Sequence, residues 1–376
     1  MGRVSERNRE HIDRVLTVSA QHGLVKQESF FTKRVAAKNL SSYLVVRQGT
    51  FVYNKSYSAA APFGVATYNK TVEPGVISPL YFTFRPNPEL VLDEYLEYVL
   101  NSNTFHQQMA RYIKEGGRAH GGINVSVDDY LSVQVLLPTL QEQRRVVDLI
   151  AAVDSYIAAL QQQADAARSA RSAVLSELLS AGGEDWTETL LGDVAEILDR
   201  MRKPISGAER EKRMGDIPYY GATGQAGWID KPMFDEELVL LGEDAIDFLN
   251  PDVHKAYLIS GPSWVNNHAH VLRANGERVL SFFLMEALNA VDYSQFVAFG
   301  TRSKLTQGAM MQISIQIPPL AEQHRIVKIV SSIDEVIQSA DQAVADAKNL
   351  RSGLLSDLLS GAHEIPGSYD RLLGAA

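Results

Sequence analysis

From residue 146 onward the apolar positions step by four and three, through Val146, Ile150, Val153, Ile157, Leu160, Ala164, Ala167, Val174 and Leu178, with Arg171 in the one skipped place. The same stepping returns at Ile326, Val330, Ile333, Ile337, Ala340, Val344, Ala347, Leu354 and Leu358, and Arg351 fills the gap there. A 3.5-residue repeat held for about five heptads predicts two helices that pack along a coiled-coil seam. The alternative is a pair of ordinary core helices, but equal length and equal phase in both copies favour a rigid two-helix spacer. At ~1.5 Å per residue, the stretch 144–180 would span about 55 Å.

The helices belong to a duplication. Residues 137–180 align on 317–360 without a gap, with 17 of 44 paired positions identical. Each copy opens on a proline turn, Pro138-Thr139-Leu140-Gln141-Glu142-Gln143-Arg144-Arg145-Val146 and Pro318-Pro319-Leu320-Ala321-Glu322-Gln323-His324-Arg325-Ile326. The prolines place the helix starts just after them, with Glu142 and Glu322 near the positive end of the helix dipole. The roughly 130 residues before each copy share little, so a constant part alternates with a variable part.

The variable parts read as mixed α/β. In the first, Tyr43-Leu44-Val45-Val46 and Thr50-Phe51-Val52-Tyr53 flank Gln48-Gly49, Leu80-Tyr81-Phe82-Thr83-Phe84 follows Ser78-Pro79, and a helix is predicted over 90–109. In the second, strands are expected at Leu238-Val239-Leu240-Leu241 and His270-Val271-Leu272-Arg273, and a helix near 280–288. Gly182-Gly183-Glu184-Asp185 is a linker. The boundaries are therefore 1–137, first variable domain; 138–180, first helix; 181–316, second variable domain; 317–360, second helix; and 361–376, a tail.

Charge sharpens the picture. The chain of 376 residues carries net −9, which speaks against a lone, strongly basic nucleic-acid binder. Residues 1–137 hold 15 basic and 12 acidic groups, whereas 181–316 hold 12 and 20. Cysteine is absent, which removes disulfides and thiolate metal sites and makes a reducing cytoplasm the expected location. No signal peptide and no membrane-spanning apolar run is expected.

Catalytic signatures are missing. The sequence has no His-Glu-x-x-His, P-loop, dinucleotide fingerprint, serine elbow or Asn/Asp-Pro-Pro-aromatic methyltransferase motif. His268 and His270, two apart, would share a strand face and could suit a metal; without a third ligand they read as hydrogen-bonded residues, and no metal site is assigned. Pro251-Asp252 with Lys255 resembles a nuclease set but lacks its strand-separated acid, and reads as a loop.

The Pro-x-Leu-x-Glu-Gln-x-Arg turn opening a long heptad helix, twice, after two unlike domains, resembles the DNA-specificity subunit of Type I restriction-modification enzymes. Supporting matches are Trp186 with Leu191-Gly192-Asp193-Val194, the string Trp264-Val265-Asn266-Asn267-His268-Ala269-His270-Val271, and Gly116-Gly117-Arg118 and Gly300-Thr301-Arg302 before the turns. The resemblance implies an α+β fold with two target-recognition domains joined by two long helices in an antiparallel coiled coil. It implies a non-catalytic reader of a split site in double-stranded DNA. It implies that two methyltransferase subunits dock on the helices and that motor-nuclease restriction subunits can join. It implies no cofactor on this chain, S-adenosylmethionine being held by the partner. The competing reading is a coiled-coil scaffold whose two domains bind a protein or another non-DNA ligand.

The first domain lacks the Trp…Leu-Gly-Asp opening of the second, whereas Tyr369 with Leu372, Leu373 and Gly374 resembles Trp186 with Leu190, Leu191 and Gly192. The tail is thus expected to complete the first domain. In an antiparallel pair centred near residues 162 and 342, Arg171 would face Asp334 and Arg351 would face Asp154. The alternative is that both arginines bend out to solvent.

Base readout needs forked donors and amides, and phosphate contacts need cations, hydroxyls and close backbone approach. The candidates in the first domain are Arg3, Arg7, Asn54, Lys55, Ser56 and Arg118, with Tyr53-Asn54-Lys55-Ser56-Tyr57 interleaving amide, cation and aromatic rings. In the second they are Arg202, Lys203, Tyr220, Thr223, Gln225, Arg302, Ser303 and Lys304. Asn266, Asn267 and His268 are expected to tie down the domain's own turns.

Overall fold

The computed structural model describes residues 1–19, 22–33, 35–56, 61–113, 123–251, 253–297 and 303–371. The chain divides into two units, Met1–Leu160 with Ala343–Ala376, and Gln161–Gln342. Two 41-residue helices, Leu140–Ser180 and Leu320–Ser360, each contribute one half to either unit. Among the described residues, no helix is long and apolar enough to cross a membrane.

In the first unit a four-stranded antiparallel sheet runs in the order Gly2–Arg3, Phe82–Arg85, Phe51–Asn54, Val65–Tyr68. The strands flanking Gln48-Gly49 do not pair with each other. Leu44–Val46 pairs with Gly75–Ile77, while Phe51–Asn54 pairs with Val65–Tyr68 and Phe82–Arg85. The helix expected over 90–109 is two helices, Asp93–Leu100 and Asn103–Ala110. Ser102 explains the break, because its Oγ caps the second helix by accepting from Phe105 N–H at 3.2 Å. Phe51, Phe84, Tyr95, Leu96, Phe105 and Tyr130 form a core that extends to Val146, Ile150 and Leu358 of the long helices.

The second unit repeats this scheme. Ala195–Ile197, Ala269–Ala274, Leu238–Gly242 and Ala256–Ile259 form one antiparallel sheet. A second sheet orders Gly224–Ile229, Ile217–Gly221, Pro262–Val265 and Phe234–Asp235. Helix Ser281–Asn289 packs its buried face on a core that also receives Leu178, Ile326 and Val330 from the long helices. The opening segment Thr187–Leu190 pairs with Ser314–Ile317, the strand that leads into the second long helix. In the first unit the equivalent stretch around Leu136 forms no strand among the described residues, and Leu136 is 97 % exposed.

Both long helices join their domains through a buried glutamine. Gln143 Oε1 accepts from Leu92 N–H at 2.9 Å, and its Nε2 donates to the carbonyls of Leu90 and Pro138, both at 2.9 Å. Gln323 does the same with Leu280 N–H at 2.8 Å, Arg278 at 2.8 Å and Pro318 at 2.9 Å. The first helix start is closed by a capping box, with Thr139 N–H and Oγ1 donating to Glu142 at 2.8 and 2.7 Å. Pro319 stands where Thr139 does, and there Glu322 pairs instead with Arg325 at 2.6 and 2.8 Å.

Every seam position of both helices is buried or half-buried, while Tyr156, Val336 and Leu350 off the seam are exposed. The helices run antiparallel within each unit. In the second, Arg171 is bidentate to Asp334 at 2.5 and 3.0 Å, and Arg168 meets Asp341 at 2.5 Å. In the first, Arg351 Nη2 meets Asp154 at 2.9 Å and its Nε makes a second bond to the same carboxylate. The expected register therefore holds, and the arginines do not turn out to solvent. Each arginine also has a third neighbour that differs between the copies. Arg171 reaches the buried Glu286 at 2.5 Å, whereas Arg351 lies 5.9 Å from the ring centroid of Tyr98.

The tail folds back on the first long helix. Asp370 receives two bonds from Arg145, both at 2.7 Å, and one from Gln141 at 2.9 Å. Leu372, Leu373 and Gly374 lie outside the described residues.

The two seam arginines should behave unequally when each is replaced by Met. R171M strands the Glu286 side chain, which is only 2 % exposed, without its cation, and should cost about 3 kcal/mol. R351M leaves Asp154, 45 % exposed, free to hydrate, and should cost under ~1 kcal/mol. Equal losses in denaturant unfolding of the two variants would contradict this account.

Candidate nucleic-acid interface

The first-unit candidates cluster at two places on one sheet. Arg3 is exposed on the edge strand, opposite Phe84, and Phe84 pairs on its other side with Phe51. Asn54 ends the strand that starts at Phe51, three residues further on; its Oδ1 accepts from Ser56 N–H at 3.0 Å. Lys55 holds its ammonium 5.3 Å from the Phe82 ring centroid, a cation–π contact that leaves its donors available. Arg7 follows the edge strand and its guanidinium donates to the Ser42 carbonyl. Arg118, Tyr57 and the Gly116-Gly117 pair lie outside the described residues.

In the second unit the candidates fall into two groups. Thr223 sits exposed in the turn between Ile217–Gly221 and Gly224–Ile229, where Gly224 takes φ +130°, a value that favours glycine. Gln225 follows, its amide donating to the Gly227 carbonyl at 3.2 Å. Tyr220 is half-buried on the same sheet, and its carbonyl accepts from Asn266 N–H at 3.0 Å. Lys203 is exposed, with its carbonyl accepting the Trp264 indole N–H at 3.1 Å.

The other group is an internal charge network. Arg202 donates to Glu243 at 2.7 Å and to the Ala269 carbonyl at 2.7 Å, and lies 3.1 Å from Asp199. Lys304 meets the other Glu243 oxygen at 2.8 Å, and Ser303 beside it is half-buried. Asp199 also accepts from Val271 N–H at 2.9 Å and contacts His270 Nδ1 at 2.6 Å, while His270 Nε2 donates to the Leu305 carbonyl at 2.9 Å. Arg302 lies outside the described residues. Asp199 and Glu243 carry no signal in the sequence, because the acids that engage an arginine are brought to it by the fold.

Asp199, Glu243 and His270 place ligand atoms within 4.8 Å of one another, a spacing that could hold a cation. Arg202 and Lys304 already neutralise those carboxylates, and both ring nitrogens of His270 are engaged. The arrangement is a structural clamp that ties the segment leading to Leu305 against the sheet. His268, by contrast, is exposed and pairs with Asp244 at 2.7 Å, so the two histidines do not act together. Asn266 Oδ1 accepts from His268 N–H at 2.7 Å, and the Asn267 carbonyl faces Arg202 at 3.4 Å, so this string does secure its own turn. Lys255 of the nuclease-like string is buried, its ammonium donating to the Asn250 carbonyl, and Asp252 lies outside the described residues.

The long helices carry a repeated groove. In the second unit a cavity of about 790 Å³ is lined by Arg171, Ser172, Leu175, Ser176 and Leu179 on one side and Glu286 on the other. In the first, a cavity of about 730 Å³ is lined by Arg351, Ser352, Leu355, Ser356 and Leu359, facing Tyr98. The five helix residues are identical at matching positions.

The clamp has a pH signature. Burial pushes the Asp199 carboxyl up, but His270, the Val271 N–H and Arg202 outweigh it and hold the group below its ordinary value. Burial acts on Glu243 likewise, and Lys304, Arg202 and His270 outweigh it. A depressed folded value means stability that is fully present above the ordinary carboxylate range and is lost as pH falls below about 4. D199N should therefore lower stability at neutral pH and flatten the acid limb of the unfolding curve. Parallel acid limbs in the variant and the parent would rule the clamp out.

Comparison with known proteins places this geometry. Residues 183–344 match the Type I restriction modification DNA specificity domain. A Haemophilus influenzae protein named as a type I restriction enzyme specificity subunit is 34 % identical over 159 residues, covering 42 % of this chain and 40 % of that protein. The MjaX specificity subunit of Methanocaldococcus jannaschii is 21 % identical over 303 residues, covering 74 % and 69 %. The aligned region thus spans less than half the length of the Haemophilus relative. A solved chain from work on complex assembly and conformational transition of a type I R-M system superposes with a TM-score of 0.60 at 16 % identity, over 96 % of this chain and 94 % of that one. Residues 183–344 are therefore similar to the Type I restriction modification DNA specificity domain, and the fold of the chain is similar to that of a solved chain from a type I R-M system.

Proposed function

We propose that this chain is the sequence-reading subunit of a Type I restriction-modification complex: it recognises a bipartite site in double-stranded DNA and positions two methyltransferase subunits on it. Motor-nuclease subunits can join the same assembly. The observation that carries the reading is the pairing of unlike domains with a like frame. Two different α/β domains are joined to the starts of two long helices by the same buried glutamine, and the antiparallel register is fixed by the Arg171–Asp334 and Arg351–Asp154 pairs. Different recognition surfaces on one repeated frame suit two half-sites at a set spacing. The identical helix faces of the two grooves suit two copies of one partner. The S-adenosylmethionine and the chemistry belong to that partner. The tail, anchored by Asp370 on Arg145, supplies the opening segment of the first domain.

The second domain carries net −8 over 181–316 and repels phosphate, so the chain alone should bind DNA weakly at ~150 mM salt and bind specifically once a methyltransferase partner joins. Co-expression of the chain with a Type I methyltransferase subunit from its source organism, followed by mapping of modified bases in the host genome, should return one two-part motif. A complex that methylates nothing and binds no DNA would favour the scaffold reading.

The helices act as a ruler in this proposal, because a stiff seam couples both domains. Four residues inserted beside Ala164 should change the recognised spacer or abolish modification while each half-sequence stays the same. An unchanged motif in that variant would remove the ruler.

A further inference from the structure

We propose that Arg210 is the guanidinium fork with which the second domain grips DNA. Its ligand is a pair of adjacent acceptor atoms: the O6 and N7 of a guanine or two oxygens of one phosphate. The inference rests on the DNA-reading function above and adds a contact that residue type alone does not single out.

The argument starts from charge. The second domain is acidic overall, yet residues 200–213 hold six of its twelve basic groups and only two of its twenty acids. A polyanion meets the least repulsion at this segment. Its six cations are not equivalent. Arg202 is consumed by Glu243, Ala269 and Asp199. Arg213 is bidentate to Asp230 at 2.8 and 3.0 Å, over the Trp264 ring at 4.7 Å. Arg200, Lys203 and Lys212 are exposed on long stems.

Arg210 differs from all five. Its guanidinium carbon lies 4.8 Å from the ring centroid of Tyr219, and the guanidinium has no carboxylate or carbonyl partner among the described residues. Tyr219 is itself buried, in a small core with Ile229 and Trp264. Across the hairpin Tyr219 pairs with Gly227, and a Cβ at Gly227 would come 3.7 Å from the Arg210 guanidinium. The side chain thus rests against a fixed ring and beside a bare backbone, with its hydrogen-bond donors unspent among the described residues. The turn that follows Gly221 carries Thr223, and Gln225 on the next strand donates its amide to the Gly227 carbonyl. Ser206, whose Oγ accepts from Glu209 N–H at 3.2 Å, fixes the start of the short helix Gly207–Glu211 that presents Arg210.

A stacked arginine loses little rotamer freedom on binding, and its planar fork matches paired acceptors in a way a lysine cannot. Arg210 is therefore preorganised where Arg200, Lys203 and Lys212 are not.

The test uses the full chain with its methyltransferase partner and a duplex carrying the motif found by base mapping. R210A should weaken binding about tenfold or more. R210K keeps the charge and the stem over Tyr219, and should recover little of the loss. Replacing guanines of the second half-site one at a time by 7-deazaguanine separates the two ligand sources. A position that weakens the parent and leaves R210A indifferent assigns the guanine edge. If no position does so, and the salt slope of R210A falls by about one, the contact is a phosphate. Parent-like affinity in R210A with the complex intact overturns the proposal while the DNA reading stands. Should R210A fail to assemble, parent-like affinity in R210K overturns it equally. A parent complex that binds no DNA removes the DNA reading and this inference together.

Discussion

A glutamine amide sealed from water joins each domain to its long helix, and the rest of each unit is arranged around that joint. Gln143 and Gln323 are fully buried, and each satisfies one N–H and two carbonyls that would otherwise be orphaned. The N–H belongs to Leu92 or Leu280, the residue just before a domain helix that has no side-chain cap of its own. The carbonyls come from the chain just before that helix and from the proline turn. Only a primary amide can accept in one direction and donate twice in another at this size. A glutamate would set its charge against two carbonyl oxygens. The residue is consequently glutamine in both copies, while its neighbours Gln141 and Ala321, or Arg144 and His324, are free to differ.

The same physical logic decides what could be read from the chain. The seam was legible because periodicity and duplication constrain it twice over, and once antiparallel packing is assumed the positions of Arg171 and Arg351 dictate Asp334 and Asp154. Glu286 was not legible. It belongs to the α/β part and reaches the seam only through the fold, and its structural counterpart is Tyr98, so the duplication offered no warning. The helix expected over 90–109 failed for a local reason: its apolar spacing continues through Ser102, and spacing does not register a serine that caps a new helix. The strands about Gln48-Gly49 lie where the sequence places them, but alternation does not say what each pairs with, and the two belong to different sheets.

Candidate contacts were harder still. Residue type identified Arg202 and Lys304 as donors, yet both are tied to Glu243, which lies 41 positions from the first and 61 from the second in sequence. Whether a cation is available depends on its partners, and partners are set by tertiary structure. The candidates at Thr223, Gln225 and Lys203 remain on an exposed turn and loop because no acid reaches them among the described residues.

This spending of cations has a consequence for recognition. An acidic domain whose arginines are mostly committed internally gains little from the long-range attraction that drives non-specific DNA binding. What it retains is short-range: a few donors held in place, whose contribution depends on matching acceptor geometry and not on the density of phosphate charge. Such a surface contributes discrimination more than affinity, and it must borrow affinity from whatever is bound beside it. Under the proposed function, affinity supplied by partners and by the net-positive first domain would serve both sites, and the acidic second domain would be left to select its own half of the sequence.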